Sequence, residues 1–181
     1  KGIDPASIRL VILTHLHIDH ASAIADFPDS TLIVTAKEWE AATSGAMPFR
    51  EGYRREQFDY AFDYRTVSFD TDDVNSYASF GRTIDLFGDG SIRLASTSGH
   101  TSGHLSLIVR LKDRDMVIGG DAVYLSSQLE PGSDLPGRIV DEHNFRRSLQ
   151  ELRLFHSQYP ESVITPGHDK AFYDSAPTVW E

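Results

Sequence analysis

The residues able to do chemistry gather in one short stretch, His15-Leu16-His17-Ile18-Asp19-His20, where four candidate metal ligands occupy six positions. It follows directly on Leu10-Val11-Ile12-Leu13, a continuous apolar run of the kind that forms a buried strand. The cluster therefore falls where a strand ends and a loop or helix begins. On an extended segment alternate side chains share a face, so His15 and His17 can grip one cation together. Asp19 and His20 follow where the chain must turn, and can aim at a neighbouring position. Three histidines and an aspartate can also meet by chance on a surface loop. Against that stand three later segments that supply further ligand types near strand ends: Ser98-Gly99-His100-Thr101-Ser102-Gly103-His104, Gly119-Gly120-Asp121-Ala122 and Thr165-Pro166-Gly167-His168-Asp169.

In order, the ligand types run His-x-His-x-Asp-His, His, Asp, His. This ordered set resembles the metallo-β-lactamase superfamily of metal-dependent hydrolases, and the resemblance covers nearly the whole chain. It implies that His15, His17 and His100 hold a first metal, that Asp19, His20 and His168 hold a second, and that Asp121 bridges the two. Asp19 and Asp121 would thereby serve catalysis as well as binding. One departure is Ala21-Ser22-Ala23, where many members carry glycine after the last motif histidine; it bears on the local turn. Five histidines and two aspartates form a nitrogen and oxygen site that suits two divalent ions, zinc best, with iron or manganese compatible with the same ligand types. A bridging carboxylate lets two cations sit about 3.5–4 Å apart with a hydroxide between them. Bound water is acidified from a pKa of ~15.7 toward ~7, so a hydroxide nucleophile exists at neutral pH. No Gly-x-Ser-x-Gly nucleophile elbow is present to suggest serine chemistry.

The elements that must position these residues can be read in chain order. Asp4-Pro5-Ala6-Ser7 suits a helix start or turn, with proline at an early helical position. Leu10 to Thr14 is the strand feeding the motif, and Ala21 to Phe27 predicts a short helix stopped near Pro28. Thr31 to Val34 predicts a strand. Thr35-x-x-Glu38 matches a capping box, so a helix should run from Ala36 toward Ser44, ended by Gly45. Residues 45–82 carry the least regular pattern, with Phe49, Tyr53, Phe58, Tyr60, Phe62 and Tyr64 among charges. Such aromatics can simply cover a core or a subunit contact. They can also form a lid, since they give an apolar ligand something to pack on. In the resembled family this insertion shapes the pocket and a dimer contact, so a homodimer is an expectation.

Further on, Thr83 to Phe87 and Ser91 to Ser96 flank Gly88-Asp89-Gly90 as a hairpin. Leu105 to Leu111 and Met116 to Ile118 are strands joined by a charged turn, Lys112 to Asp115. Residues 130–137 predict a loop. Phe145, Leu149, Leu152 and Phe155 recur at helical spacing, with Asp141 as N-cap. Val163 and Ile164 form a last strand before His168. Strands alternating with helices predict an α/β fold. The resemblance sharpens this to one domain over 1–181, an αββα sandwich whose N-terminal strands are absent, because the metal motif arrives early and the chain opens on Lys1.

The chain has 181 residues, 40% hydrophobic and 24% charged, ordinary for a globular domain with a substantial core. No run approaches the roughly 20 apolar residues of a membrane span. A formal net charge of −10 repels a phosphate backbone, which argues against nucleic acid as partner. Absence of cysteine removes disulfides and thiolate ligands, and with them the β-lactamases proper that use a cysteine ligand. A cytoplasmic enzyme acting on a small lactone or ester is the expectation. Among hydrolases of the superfamily, Tyr124 is the discriminating residue. It stands three positions after Asp121, where N-acyl-homoserine lactonases carry a tyrosine that contacts the substrate carbonyl. The alternative for it is packing beside a strand end. Glyoxalase II-like thioesterases and phosphodiesterases of the RNA-processing kind share the ligand set, whereas intact ligands argue against a non-catalytic metabolite-sensing module on the same fold. The first two differ by added parts or basic surface, the module by absence of turnover. His104 is read as supporting the ligands or the structure, not as a ligand itself, and His143 and His156 as packed or solvated.

Overall fold

The computed structural model describes residues 2–44, 48–60, 63–133 and 138–180. The chain divides into two compact units, Lys1–Ser68 and Phe69–Glu181.

The first unit is built on a parallel three-stranded sheet, ordered β1 (Leu10–Ile12), β2 (Thr31–Thr35), β3 (Asp63–Val67). β1 is shorter than the predicted Leu10 to Thr14; just beyond it the Leu13 N–H donates to the Ile33 carbonyl and the Thr31 N–H to the Arg9 carbonyl, both at 2.9 Å. Parallel strands need crossovers, and the first one carries the histidine motif. The helix expected over Ala21 to Phe27 is displaced. One turn, α1 (Ile18–Ala21), forms inside the motif, and a separate 3₁₀ turn follows at Ile24–Asp26. The turn starts early because the N–H groups of His20 and Ala21 both reach the His17 carbonyl. The helix α2 (Ala36–Ser44) runs as predicted, and Gly45 lies outside the described residues.

The region 45–82 is more regular than its sequence suggests. After a 3₁₀ turn at Pro48–Glu51 and the single turn α3 (Arg55–Phe58), β3 pairs with β2 over five residues. Asp63, Arg65 and Thr66 are exposed and only Tyr64 and Val67 half-buried, so no apolar run betrays it. Tyr53 and Phe58 are buried in a core with Leu13, Leu16, Leu32 and Val34. Tyr64 packs against that core, its hydroxyl donating to the Phe58 carbonyl, and burial pushes its phenol far up from the ordinary value. Tyr60 is exposed, whereas Phe62 and the side chain of Phe49 lie outside the described residues.

The second unit is a six-stranded sheet in sequence order: β4 (Asn75–Tyr77), β5 (Phe80–Asp85), β6 (Ile92–Ser96), β7 (Leu105–Arg110), β8 (Asp115–Ile118) and β9 (Val163–Thr165). All neighbours are antiparallel except β8 and β9. The β5–β6 hairpin closes where the Asp85 carboxylate accepts the N–H groups of Gly88 and Gly90, both at positive φ, and pairs with Arg93. The long helix α4 (Glu142–Gln158) begins at Asp141, which accepts the Asn144 N–H at 3.0 Å; this backbone bond leads in holding the carboxyl below its ordinary value. Phe145, Leu149, Leu152 and Phe155 all point into the core, as their spacing required. The last helix is α5 (Lys170–Ser175). The predicted loop 130–137 is described only to residue 133. Among the described residues no helix is long and apolar enough to cross a membrane.

Leu152 has no exposed surface. Leu152→Ala should lower the unfolding free energy by about 2–5 kcal/mol. Denaturant melts should show this as a lower midpoint at unchanged slope; an unmoved midpoint would show that α4 is not docked by this face.

Candidate metal centre

Of the seven expected ligands, His15, His17, Asp19 and His20 lie in the first unit and His100, Asp121 and His168 in the second. Each half is built by its own elements.

In the first unit, Leu16 is fully buried between two histidines. Its side chain anchors in the core, which turns His15 and His17 the other way. The two imidazoles meet edge to face with centroids 4.7 Å apart, and His15 lies 4.1 Å from the ring of His20. Nδ1 of His15 is 3.1 Å from Thr14 Oγ1. His17 forms an isolated β-bridge with Tyr53, whose ring centroid is 5.0 Å away. Asp19, about half exposed, lies 3.6 Å from His20 Nε2. Sequence reasoning missed Glu38. Thr35 Oγ1 accepts the Glu38 N–H at 3.0 Å, as a capping box requires. The fully buried Glu38 carboxylate also accepts the Leu16 N–H at 2.9 Å, gripping the motif between His15 and His17. The Thr-x-x-Glu pattern concealed this, because it explains a glutamate by local capping alone.

In the second unit, His100 sits on a loop joined to the start of α4. The Gly99 carbonyl accepts the N–H groups of Val140 and Asp141 at 3.0 and 2.9 Å, and Ser148 Oγ donates to the Ser98 carbonyl at 2.8 Å. Gly99 has φ +134°, and a Cβ there would fall 2.2 Å from the Phe145 nitrogen, so only glycine fits. Asp121 follows β8 in a 3₁₀ turn, Gly120–Ala122. Its Oδ2 lies 3.3 Å from His100 Nε2 and 3.1 Å from His168 Nε2. His168 can come so near because Gly167 has no Cβ, which would otherwise stand 2.4 Å from Asp121 Oδ1.

The donor set tests its own fitness for a metal. Nδ1 of His100 is 3.2 Å from the Arg138 carbonyl, which can only accept, so that nitrogen carries the proton. The neutral ring then presents the lone pair of Nε2 to a carboxylate oxygen. Two lone pairs facing each other call for a cation between them or a second proton on the ring. The residues fit a divalent metal on that ground.

Tyr124 lies where both imidazoles can be reached. Its hydroxyl is 2.9 Å from His100 Nδ1, and its ring stacks on His168 with centroids 5.0 Å apart and planes at 26°. The one Nδ1 proton is then shared between the Arg138 carbonyl and the phenol oxygen, so the phenol accepts and its own proton is available elsewhere. Its backbone is fixed from two sides. Gln128 Oε1 accepts the N–H groups of Tyr124 and Leu125 at 2.7 and 3.1 Å, and the His168 N–H donates to the Tyr124 carbonyl at 2.9 Å. Nothing in the sequence marked Gln128. Asp169 caps α5 through the Phe172 N–H and also accepts the Ser126 N–H at 2.9 Å; that bond leads in holding its carboxyl below the ordinary value. His104 has Nε2 and Nδ1 occupied by the Asp121 N–H and Thr97 Oγ1. His143 is exposed and His156 half-buried, both on α4.

The pattern of the Metallo-beta-lactamase superfamily matches residues 1–168, and the chain belongs to that superfamily. Among its relatives, the N-acyl homoserine lactonase AttM of Rhizobium radiobacter is 34% identical over 170 residues, covering 93% of this chain and 60% of that protein. The probable metallo-hydrolase Rv2300c of Mycobacterium tuberculosis is 29% identical over 185 residues, 97% of this chain and 59% of its own length. The fold matches an N-acyl homoserine lactone hydrolase solved with N-hexanoyl-L-homoserine bound at its catalytic metal center. The TM-score is 0.75 at 24% identity, over 97% of this chain and 62% of that one. The chain thus spans about 60% of the length of the curated relatives it matches.

Glu38→Leu removes the acceptor for the Leu16 N–H. It should make that amide exchange with solvent faster, at least about tenfold, equivalent to a lost bond of ~1.4 kcal/mol. Glu38→Gln, which keeps an acceptor oxygen, should restore most of the protection. Equal exchange in all three proteins would show that Glu38 does not hold the motif.

Proposed function

We propose that this chain is the metal-binding part of a hydrolase that opens N-acyl homoserine lactones, and that it works with two zinc ions. His15, His17 and His100 would hold one, Asp19, His20 and His168 the other, with Asp121 shared. The observation that carries the reading is the buried Asp121 oxygen facing two imidazoles, with the Tyr124 phenol against the same two rings. The names of the relatives support the lactone as substrate. Zinc held there supplies Lewis acidity, which polarises a carbonyl and acidifies water.

The chain's own residues would do the rest. As the lactone carbonyl is attacked, negative charge grows on its oxygen. Tyr124 donates its phenolic hydrogen bond to that oxygen, and the bond strengthens as charge develops, which accelerates the reaction. The His100 N–H and the stacked His168 ring hold the phenol in place, so little reorganisation accompanies the step. The ring C–O bond then breaks, leaving a carboxylate and a hydroxyl on an open-chain product. Asp19, about half exposed beside His20, would take the proton that the attacking water gives up and return it to the departing ring oxygen.

Elemental analysis should find two zinc ions per chain, and Asp121→Ala should lose both metal and activity, because it strips a ligand from each site. One metal per chain with an active Asp121 variant would refute the shared-carboxylate reading. Tyr124→Phe keeps the ring, so both metals should remain while kcat on an N-acyl homoserine lactone falls about 10–100-fold, below the typical effect of an oxyanion-hole donor. Unchanged kcat would return Tyr124 to packing and remove the main reason for preferring lactones over thioesters and phosphodiesters, which should be assayed alongside.

A further inference from the structure

His104 is outside the proposed ligand set, yet only 1% of it is exposed. It sits in a run of four buried hydrogen bonds. The Asp121 N–H lies 3.0 Å from His104 Nε2, and His104 Nδ1 is 2.9 Å from Thr97 Oγ1. Thr97 Oγ1 is 2.8 Å from Ser106 Oγ, and the Ser106 hydroxyl donates to the Gly119 carbonyl at 3.0 Å.

The two ends dictate the direction of every bond. A peptide N–H can only donate, so Nε2 accepts and carries no proton. The single proton of the neutral ring is then on Nδ1 and is donated to Thr97. At the far end a carbonyl can only accept, so Ser106 donates there and receives from Thr97. Each hydroxyl accepts once and donates once, and no member competes with its neighbour. The run also closes on itself: it leaves from Asp121 and returns to Gly119, two residues earlier. It therefore clasps the turn that carries the Asp121 carboxylate, and it ties that turn to β7 through Ser106 and to the end of β6 through Thr97.

We infer that His104 is a positioning residue, locked as the neutral Nδ1–H tautomer, whose Nε2 holds the backbone of Asp121 so that its carboxylate faces His100 and His168. It is not a ligand, because both nitrogens are taken inside the relay. The consequence for metal rests on the proposed role of Asp121, whereas the tautomer does not.

Two measurements test this separately. Nitrogen-15 NMR of the intact metal-free protein near neutral pH should show His104 protonated on Nδ1 alone; an Nε2–H tautomer would overturn the relay whatever the metal count. Zinc affinity, read by competition with a chromophoric chelator, should weaken about 10–100-fold in His104→Leu, the usual effect of removing a partner that orients a ligand. His104→Gln offers an oxygen to the Asp121 N–H and should recover most of that loss, which a role in packing alone would not predict. If His104→Leu does not fold, Ser106→Ala cuts the relay away from the ring and should weaken zinc in the same direction. Wild-type affinity in whichever of these folds would overturn the positioning role. A correct tautomer with no zinc bound to the wild-type protein would refute the metal reading and leave the relay standing.

Discussion

The structure depends most on a buried carboxylate facing two imidazoles. The side chain of Asp121 is only 4% exposed, and an isolated charge at such depth is strongly disfavoured unless it is paired. Nearby features in the second unit reduce that penalty or exploit it. Gly167 admits the chain to van der Waals distance, His168 and His100 bring nitrogen to the same oxygen, and the relay through His104 fixes the backbone behind it. A flexible carboxylate would find water; one held from behind keeps its oxygen where a cation is most strongly bound. The stacking of Tyr124 on His168 then couples its phenol to the same frame.

Legibility in the sequence followed the range of the forces involved. The ligand types, their order and the helix α4 were readable because each rests on local spacing: the motif on alternation, the helix on Phe145, Leu149, Leu152 and Phe155, its start on Asp141. The hairpin around Gly88 was readable for the same reason. What escaped notice depends on partners far along the chain. β3 is recognised only by its pairing with β2, since half-exposed Asp63 to Val67 have no apolar signature. Glu38 matched a local rule and was used for a contact 22 residues away. Gln128 and the tautomer of His104 are fixed by geometry alone. The one-turn helix at Ile18–Ala21 was misplaced because composition favoured the small residues after it, while the turn was set by the His17 carbonyl.

Gly99 has a consequence that reaches beyond packing. With its carbonyl bonded to the residues that open α4 and no room for a Cβ against Phe145, the His100 loop is part of the helix's cooperative unit. Loops usually open long before a protein unfolds; these bonds tie the opening of this one to release of the α4 start. Amide exchange at its backbone should therefore report the stability of the second unit's core, and not local breathing. If His100 holds metal as proposed, its imidazole would wait in position while the metal comes and goes. Recharging the site after metal loss would then be governed by the arrival of the ion, with no refolding step in its path.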